Sequence, residues 1–236
     1  MADSKNRVVI RPATLALFIA RRNSGKSVLM AHLLAVLARA SCFHWVAVVS
    51  PTMHTGEWAA IVGPENVREA FDPEWLDSVL QQQASACRRK KPNPGLLILD
   101  DCLGRVNFHS DLMTRLATAG RHYDLGVWCA FQLYHKVPTV LRENADYTFL
   151  LGSISDKVAR AVFEEYGPPG HETPASVRAF ANAATEGHGA CLVDRTDDSR
   201  LKVVRAPWPA PAFRLTFQVN RVCRGGAPIL SAKKRR

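Results

Sequence analysis

ARRNSGKS, residues 20–27, is the stretch of this sequence that decides the fold. It follows a short apolar run at 14–20 and precedes an Ala- and Leu-rich segment at 27–40. The run is typical of a strand buried on both faces of a parallel sheet, and the segment is typical of a helix. A strand, a bend that ends in Gly-Lys-Ser and a helix together predict a phosphate-binding loop. A tight strand-to-helix turn without a ligand is the alternative.

The chemistry of such a bend favours a nucleotide. Backbone N–H groups of the bend and of the helix N-terminus converge on phosphate oxygens, where the helix dipole favours negative charge. Lys26 is expected to neutralise the β- and γ-phosphates and the Ser27 hydroxyl to ligate Mg²⁺, so ATP and Mg²⁺ are the expected cofactors. The residues predicted to bind the nucleotide are Arg22, Asn23, Ser24, Gly25, Lys26 and Ser27.

Ala20 departs from the usual pattern, which has glycine at the first position of the bend. Alanine is small, and we expect it to be tolerated if its φ angle stays negative. The departure therefore weakens the motif only slightly.

A second motif, LLILDD at residues 96–101, ends in two carboxylates. A buried strand delivers its last side chains to the carboxyl edge of the sheet, where the ligands of open α/β sheets bind. Asp100 is predicted to hold Mg²⁺, directly or through water, and Asp101 to act as the general base that polarises the attacking water. Many proteins with such a loop have Glu at the second position. Asp101 has one methylene less than Glu with which to reach the attacking water. A pair of aspartates that caps the following turn is the alternative.

Gln132 ends the apolar segment 125–131, which predicts a strand next to the acidic one. A polar side chain at that point can contact both the γ-phosphate and the attacking water. We interpret Gln132 as a sensor of the hydrolysis state. A polar residue that only satisfies a loop at the strand end is the alternative.

The order of the remaining segments predicts the architecture. Apolar runs at 43–49, 96–99, 125–131 and 147–151 alternate with helical segments at 73–87, 108–119 and 156–166, and a helix at 174–184 and an edge hairpin of 190–193 with 201–204 follow. This alternation predicts an α/β fold with a mostly parallel central sheet and helices on both faces. A strand between the P-loop strand and the acidic strand indicates the RecA-like, additional-strand class of P-loop NTPases.

We expect one P-loop ATPase domain over residues 1–206, with its motifs in 14–151, and a Pro-rich, basic tail over 207–236. The formal net charge of +10 favours a polyanionic partner, most often nucleic acid. The basic clusters 88–91 and 233–236 are candidates for contact with a DNA backbone, and the second is alternatively a nuclear import signal. A solvated loop is the alternative for each cluster.

The cysteines indicate the redox environment of the chain, and the apolar runs indicate whether it inserts into a membrane. The six cysteines form no CxxC pair, so we expect reduced thiols and an intracellular environment. The apolar run 15–20 is too short to span a bilayer, and we expect no membrane partner.

Five segments resemble one family in their order and approximate spacing: NSGKS at 23–27, ILDD at 98–101, GRH at 120–122, Gln132, and VPTVLRENAD at 137–146. The family is that of the DNA-packaging ATPases of large eukaryotic double-stranded DNA viruses, of the poxvirus type, within the FtsK/HerA superfamily. The resemblance covers about residues 14–151. It implies a homo-oligomeric ring, a pentamer or hexamer, that pumps double-stranded DNA into a capsid. It also implies a capsid or portal-vertex partner and a location in the host cytoplasm, viral factory or nucleus, or in the virion.

Motors of this kind complete their site with an arginine from the neighbouring subunit, which stabilises charge on the γ-phosphate. Arg142, before the fifth strand, and Arg121, before the fourth, are the two candidates, and Arg142 is preferred. A surface arginine paired with a nearby carboxylate such as Glu143 or Asp124 is the alternative for either residue.

Other functions fit the sequence less well. A small-molecule kinase would need an arginine-bearing lid over its phosphate acceptor, and no such segment follows the third or fourth strand. A scaffold that binds ATP without hydrolysing it would have no need of an intact Lys26, Asp100, Asp101 and Gln132. A helicase-like recombination or replication ATPase is a nearer alternative, although no strand-separating insertion is evident.

Overall fold

The computed structural model describes residues 10–51, 57–91 and 93–206, together with the backbone of 217–220 and 229–232. The strands are β1 (Leu15–Ala20), β2 (Trp45–Val49), β3 (Val67–Arg68), β4 (Gly95–Leu99), β5 (Leu125–Phe131), β6 (Tyr147–Leu151), β7 (Gly189–Asp194), β8 (Arg200–Arg205), β9 (Phe217–Asn220) and β10 (Ile229–Ala232). The α-helices are α1 (Lys26–Arg39), α2 (Glu57–Val62), α3 (Pro73–Arg88), α4 (Asp111–Ala119), α5 (Thr139–Asn144), α6 (Asp156–Tyr166) and α7 (Pro174–Ala184). Short 3-10 helices lie at Pro64–Asn66, Gly120–Tyr123, Tyr134–Lys136, Glu186–His188 and Arg195–Asp197.

The main sheet has eight strands in the order β3-β2-β4-β5-β1-β6-β7-β8. The strands from β3 to β6 in this order are parallel, and β7 and β8 each run antiparallel to the preceding strand. β5 lies between β1 and β4, which confirms the additional strand that the sequence predicts. Phe131 lies opposite Ile19, and Cys129 lies opposite Leu99. The carboxyl ends of β1, β4 and β5 therefore meet at one edge of the sheet.

Apolar layers cover both faces of β1, because successive side chains of a strand point to opposite faces. Leu17 packs in the layer beneath α3, α4, α6 and α7, whereas Phe18 packs in the layer beneath α1 and α2. The Phe18 ring stacks on that of Phe149, with centroids 4.7 Å apart. Truncation of the buried Phe18 or Phe149 side chain to alanine would cost about 3–5 kcal/mol. This packing fixes the point at which the phosphate-binding bend begins.

A capping side chain sets the start of α4. The Ser110 hydroxyl accepts a hydrogen bond from the backbone N–H of Met113, so the helix begins at Asp111. The predicted start at Phe108 is therefore wrong. Phe108 packs instead against Phe131, with ring centroids 5.0 Å apart.

Three short elements differ from the sequence prediction, which did not include them. α2 and α5 have six residues each and β3 has two, too few to show a periodic pattern. The second strand is also shorter than the predicted 43–49, because it begins at Trp45. These differences leave the predicted order of the main strands unchanged.

The hairpin of β7 and β8 occurs as predicted and continues the main sheet beyond β6. Lys202 is buried there, and its ammonium group lies 2.7 Å from a carboxylate oxygen of Asp194 and of Asp197. The tail predicted over 207–236 contains an antiparallel pair, β9 with β10. The cluster 233–236 lies outside the described residues, and the domain boundary at 206 stays a prediction.

The described cysteines are all free: Cys42, Cys87, Cys102, Cys129 and Cys191. In the ranges that the structure covers, no helix combines the length and the apolar character needed to cross a membrane.

Candidate functional site

A cleft of about 420 Å³ opens where β1, β4 and β5 end. Every residue predicted to bind nucleotide or metal lines this cleft, and so do Asp101 and Gln132. The remaining lining residues are Arg21, Val28, Glu57 and His188. The two sequence motifs, far apart in the chain, thus lie side by side at one edge of one sheet.

Two residues of the bend between β1 and α1 have positive φ angles. Gly25 is the N-cap of α1 in the left-handed conformation, with φ 79° and ψ 13°. This conformation costs a residue with a Cβ about 1–2 kcal/mol. Asn23 also has a positive φ, 59°, which asparagine tolerates better than most residues. Ala20 is the last residue of β1, so its extended backbone needs no glycine.

Lys26 and Asp100 join the two motifs. The Lys26 Nζ atom lies 3.5 Å from Asp100 Oδ1, and both side chains are largely buried. Asp100 Oδ2 accepts a hydrogen bond of 2.8 Å from Nε1 of Trp58. Oδ1 is buried and has no hydrogen-bond partner among the described residues. Because Lys26 lies beside this oxygen without a hydrogen bond to it, Oδ1 keeps the capacity to bind a metal ion, and Asp100 fits the role of magnesium ligand.

The cleft does not hold a metal by protein ligands alone. Within the part of the chain that the structure describes, no group of three or more His, Cys, Asp or Glu side chains could hold an ion. Mg²⁺ commonly takes one or two protein oxygens and completes its shell with waters and substrate phosphates. The Ser27 hydroxyl and the Asp100 carboxylate therefore fit a metal ion that arrives with a nucleotide.

Asp101 and Gln132 are in direct contact. Asp101 Oδ1 accepts a hydrogen bond of 2.7 Å from Nε2 of Gln132. Asp101 also has φ 55°, which is uncommon for a residue other than glycine and is often found at functional sites. The bond connects the candidate base at the end of β4 with the candidate sensor at the end of β5.

Cys102 connects the turn that carries Asp100 and Asp101, here called the acidic turn, to the end of β2. Its buried sulfur lies 3.3 Å from the carbonyl oxygen of Val49 and 3.4 Å from that of Asp100, either of which can accept the S–H. Burial, together with the charges of Asp100 and Asp101, raises the pKa of Cys102 to about 12. The group therefore stays a thiol at neutral pH and acts as a donor rather than as a nucleophile.

Arg142 lies outside the cleft and is engaged within its own chain. It forms an ion pair with Glu165 of α6, and its guanidinium carbon lies 5.4 Å from the centroid of the Tyr134 ring. The Tyr134 hydroxyl donates a hydrogen bond of 2.7 Å to the same carboxylate. The alternative of an arginine paired with a carboxylate therefore holds for Arg142, with Glu165 as the partner instead of Glu143, because adjacent helical residues do not face each other.

Arg121 also lies outside the cleft, in the short helix before β5, and it is exposed. It forms no ion pair with a described residue, and Asp124 contacts Cys87 instead, with 3.7 Å between sulfur and carboxylate oxygen. Because β5 and β6 are parallel, the segments before them lie at the amino edge of the sheet. A strand of this length separates that edge from the cleft by roughly 17–20 Å. Neither candidate arginine lines the cleft of its own chain.

Sequence patterns did not predict the place of three residues, two that line the cleft and one that contacts Asp100. Trp58 is buried, as expected for a tryptophan, yet its indole N–H serves Asp100. Glu57 shares the six-residue helix α2, which gives no periodic signal. His188 lies between two glycines, a pattern that predicts a turn but not a contact with a distant cleft.

Comparison with known protein families and sequences gives a consistent result. The model of the family described as Poxvirus A32 protein matches residues 4–162. The uncharacterized protein L437 of Acanthamoeba polyphaga mimivirus is 26% identical over 205 residues, which make up 80% of this chain and 69% of that protein.

Solved structures share the fold. The genome packaging NTPase B204 from Sulfolobus turreted icosahedral virus 2, in complex with ATP-gammaS, superposes with a TM-score of 0.58 over 83% of this chain and 98% of that chain, at 15% identity. Its sulfate complex gives a TM-score of 0.63 over 84% and 98% of the two chains, at 14% identity. EssC (ATPases 2 and 3) from Geobacillus thermodenitrificans gives 0.55 over 84% of this chain and 40% of that chain, at 12% identity. At these identities the comparison shows the architecture, a P-loop NTPase with a mostly parallel sheet.

Proposed function

This chain belongs to the poxvirus A32 protein family, and from that membership we propose that it is an ATP-hydrolysing motor that moves double-stranded DNA to package a viral genome into its capsid. The observation that carries the proposal is the contact of the two motifs, with Lys26 Nζ 3.5 Å from Asp100 Oδ1. One motif binds phosphate and the other supplies carboxylates, so their contact supports hydrolysis of ATP. The fold shared with B204, over 98% of that packaging NTPase, supports a motor of the same kind.

The bend and Lys26 bind the triphosphate. The N–H groups at the start of α1 point toward the phosphates, and the Lys26 ammonium neutralises the β- and γ-phosphates. Ser27 and Asp100 would hold Mg²⁺, which when bound offsets the phosphate charge and orients the γ-phosphate.

Asp101 provides the base for the chemical step. The water oxygen attacks the γ-phosphorus while its proton passes to the Asp101 carboxylate, and the bond from that phosphorus to the β–γ bridging oxygen breaks. The products are ADP and inorganic phosphate. The hydrogen bond from Gln132 restricts rotation of the Asp101 carboxylate, which keeps the accepting oxygen in place. A positioned base contributes about 10²–10⁴-fold to the rate.

Gln132 is suited to sense whether ATP has been hydrolysed. It follows β5, and the chain continues directly into the short helix that carries Tyr134. Tyr134 bonds Glu165, and Glu165 is paired with Arg142. A displacement of Gln132 when the γ-phosphate leaves would therefore pass through Tyr134 to this ion pair.

A homo-oligomeric ring, a pentamer or hexamer, completes the site. Apart from Arg21 and Arg22 of the bend, the described residues that line the cleft include no arginine, and we assign the arginine that stabilises the transition state to a neighbouring subunit. Exposure of Arg121 favours it for this role over Arg142, whose charge is already paired with Glu165.

Double-stranded DNA is the proposed cargo, and the chain carries a formal net charge of +10 that suits it. Arg88, Arg89, Lys90 and Lys91 are all exposed at the end of α3. Contacts of this kind with phosphates carry affinity without reading sequence, as a motor that moves along any DNA requires. We further propose a capsid or portal-vertex partner and a location inside the infected host cell, with association with the virion.

The test is the rate of ATP hydrolysis by the purified protein with and without double-stranded DNA, together with the particle mass in the presence of ATP. We expect turnover that DNA stimulates and a mass of several subunits. Lys26→Ala should abolish ATP binding or turnover, whereas Lys157→Ala, an exposed lysine on α6, should not. Turnover that is independent of DNA but requires a small phosphate acceptor would show that the protein is a kinase instead.

A further inference from the structure

Trp58 donates a hydrogen bond to the metal-site carboxylate from an element that belongs to neither motif. It lies on α2, is 5% exposed, and stands 42 residues from Asp100 in the chain. The bond from its Nε1 to Asp100 Oδ2 measures 2.8 Å and is buried. Packing alone does not explain the choice of tryptophan, because a phenylalanine would fill a similar space without a buried N–H that needs a partner.

The two oxygens of Asp100 have different surroundings. Oδ2 is satisfied by the indole, whereas Oδ1 faces Lys26 Nζ at 3.5 Å and has no hydrogen-bond partner in the described part of the chain. The torsion that turns an aspartate carboxylate is broad, so the group rotates easily unless something holds it. The backbone of Asp100 is held by a bond of 2.9 Å from its N–H to the carbonyl oxygen of Val49. The indole is the contact that fixes the remaining rotation.

The other buried tryptophans show that this use of the indole is specific to Trp58. Trp45 donates to the backbone carbonyl of Asn93, at 3.3 Å, from the start of β2 at the edge of the sheet away from the cleft. Trp128 is buried in β5, and its Nε1 has no hydrogen-bond partner among the residues described. Of these three indole donors, Trp58 alone meets a carboxylate within the described ranges.

We propose that Trp58 is a positioning residue for the metal ion: its indole N–H holds Asp100 Oδ2 and leaves Oδ1, beside Lys26, as the oxygen that binds Mg²⁺. The inference rests on the proposed function, because the ion arrives with ATP. It assigns α2 a part in the ATPase site.

The test is the affinity for a divalent ion rather than turnover. Trp58→Phe keeps an aromatic ring and removes the donor. With a non-hydrolysable ATP analogue present, we expect its affinity for Mn²⁺, followed by electron paramagnetic resonance, to fall about 10–100-fold, as for other hydrogen-bond partners of metal ligands. Affinity for the analogue without metal should stay unchanged. Trp45→Phe, the matched control, should change neither quantity.

A double-mutant cycle separates positioning from a general loss of structure. Asp100→Asn removes the ligand itself, so Trp58→Phe in that background should cause no further loss of metal affinity if it acts through Asp100. An equal loss in both backgrounds would contradict the proposal.

The remaining outcomes are also decisive. If the native protein binds the analogue no better with metal than without it, the proposed ATPase function fails and not only this inference. If binding of the analogue depends on metal in the native protein and depends on it equally in Trp58→Phe, the inference alone fails.

Should Trp58→Phe not fold, the indole N–H resonance of Trp58 in the native protein gives the answer. It should shift when metal is added to the analogue complex, while that of Trp45 does not, and a resonance of Trp58 that stays in place overturns the proposal.

Discussion

Asp101 combines two features at the residue scale, a left-handed backbone with φ 55° and a hydrogen bond from Gln132. Such a backbone is unfavourable for aspartate unless its surroundings impose it. Both neighbours of Asp101 are tied to β2, since the N–H of Asp100 and the sulfur of Cys102 contact Val49 O at 2.9 and 3.3 Å. The turn is therefore held on either side of Asp101, and the carboxylate is positioned before ATP binds.

Replacement of Asp101 by asparagine tests its role as the base. The amide has the same size but cannot accept the proton, so we expect ATP binding to persist and hydrolysis to fall by about 10²–10⁴-fold. Binding of a non-hydrolysable analogue and the rate of phosphate release measure the two effects. Asp111→Asn, at the exposed start of α4, is the control and should leave the rate unchanged. An unchanged rate in Asp101→Asn would assign the base to another group.

At the scale of elements, β7 brings the last third of the described chain to the cleft. β7 pairs with β6, and β6 pairs with β1, so the start of β7 lies on the side of β1 away from β4. Asp100 and Gln132 follow β4 and β5, which lie on the opposite side of β1 from β6 and β7. The γ-phosphate and the metal are therefore expected on the side of β4 and β5. The nucleoside should then extend toward β6 and β7, where His188 lines the cleft with φ 64°.

His188→Ala should therefore weaken binding of the nucleoside part of ATP. We expect the dissociation constant of ATP to rise about two- to tenfold, since one hydrogen bond contributes about 0.5–1.5 kcal/mol. The dissociation constant of inorganic triphosphate should not change. Both are measured by calorimetry, with His109→Ala, exposed and outside the cleft, as the control. An equal loss for triphosphate would place His188 at the phosphates instead.

The elements differ in how far the sequence could predict them, and the reason is the range of the contacts involved. β1 with its bend, and β4 with its two aspartates, each join an apolar run to a motif within a few residues, so both could be predicted. Trp58 reaches Asp100 across 42 residues, and Arg142 reaches Glu165 across 23. Pairings at such separations depend on how the helices pack, which no local pattern encodes.

At the scale of the whole molecule, both candidate arginines lie outside the cleft, and Arg121 precedes β5 at the edge of the sheet opposite the one where the cleft opens. A subunit could therefore offer an arginine to one neighbour while it receives one from the other, which is the head-to-tail geometry that closes a ring. Arg121 is exposed, whereas Arg142 is tied to Glu165. The two assignments therefore predict different activities for rings assembled from two different inactive variants.

Mixing inactive subunits tests which arginine acts across the interface. Arg121→Ala and Asp101→Asn proteins should each be inactive alone, and mixtures should recover part of the turnover because some interfaces then pair a native arginine with a native cleft. The same mixture made with Arg142→Ala should not recover. Recovery with Arg142→Ala instead would return the role to Arg142, and no recovery with either variant at any ratio would count against both.

The basic loop after α3 should set the dependence of DNA binding on salt. Substitution of Lys90 and Lys91 by alanine should flatten the plot of log affinity against log salt concentration by about 0.9 for each DNA phosphate that the variant no longer neutralises. Fluorescence anisotropy of a labelled duplex at several salt concentrations measures the slope. Lys157 and Arg160, exposed on α6, are the matched pair for comparison. Identical slopes for the two double variants would remove the loop from the DNA path.

Cys102 is buried with a pKa raised to about 12, whereas Cys42 and Cys87 are only half-buried. A maleimide dye requires an accessible thiol, so among the described cysteines it should attach at Cys42 and Cys87 well before it reaches Cys102. Fluorescent dyes can therefore be attached to Cys87 on α3 and to Cys42 beside α1 without first replacing Cys102. Single molecules labelled in this way would let the steps of an individual ring be followed in time.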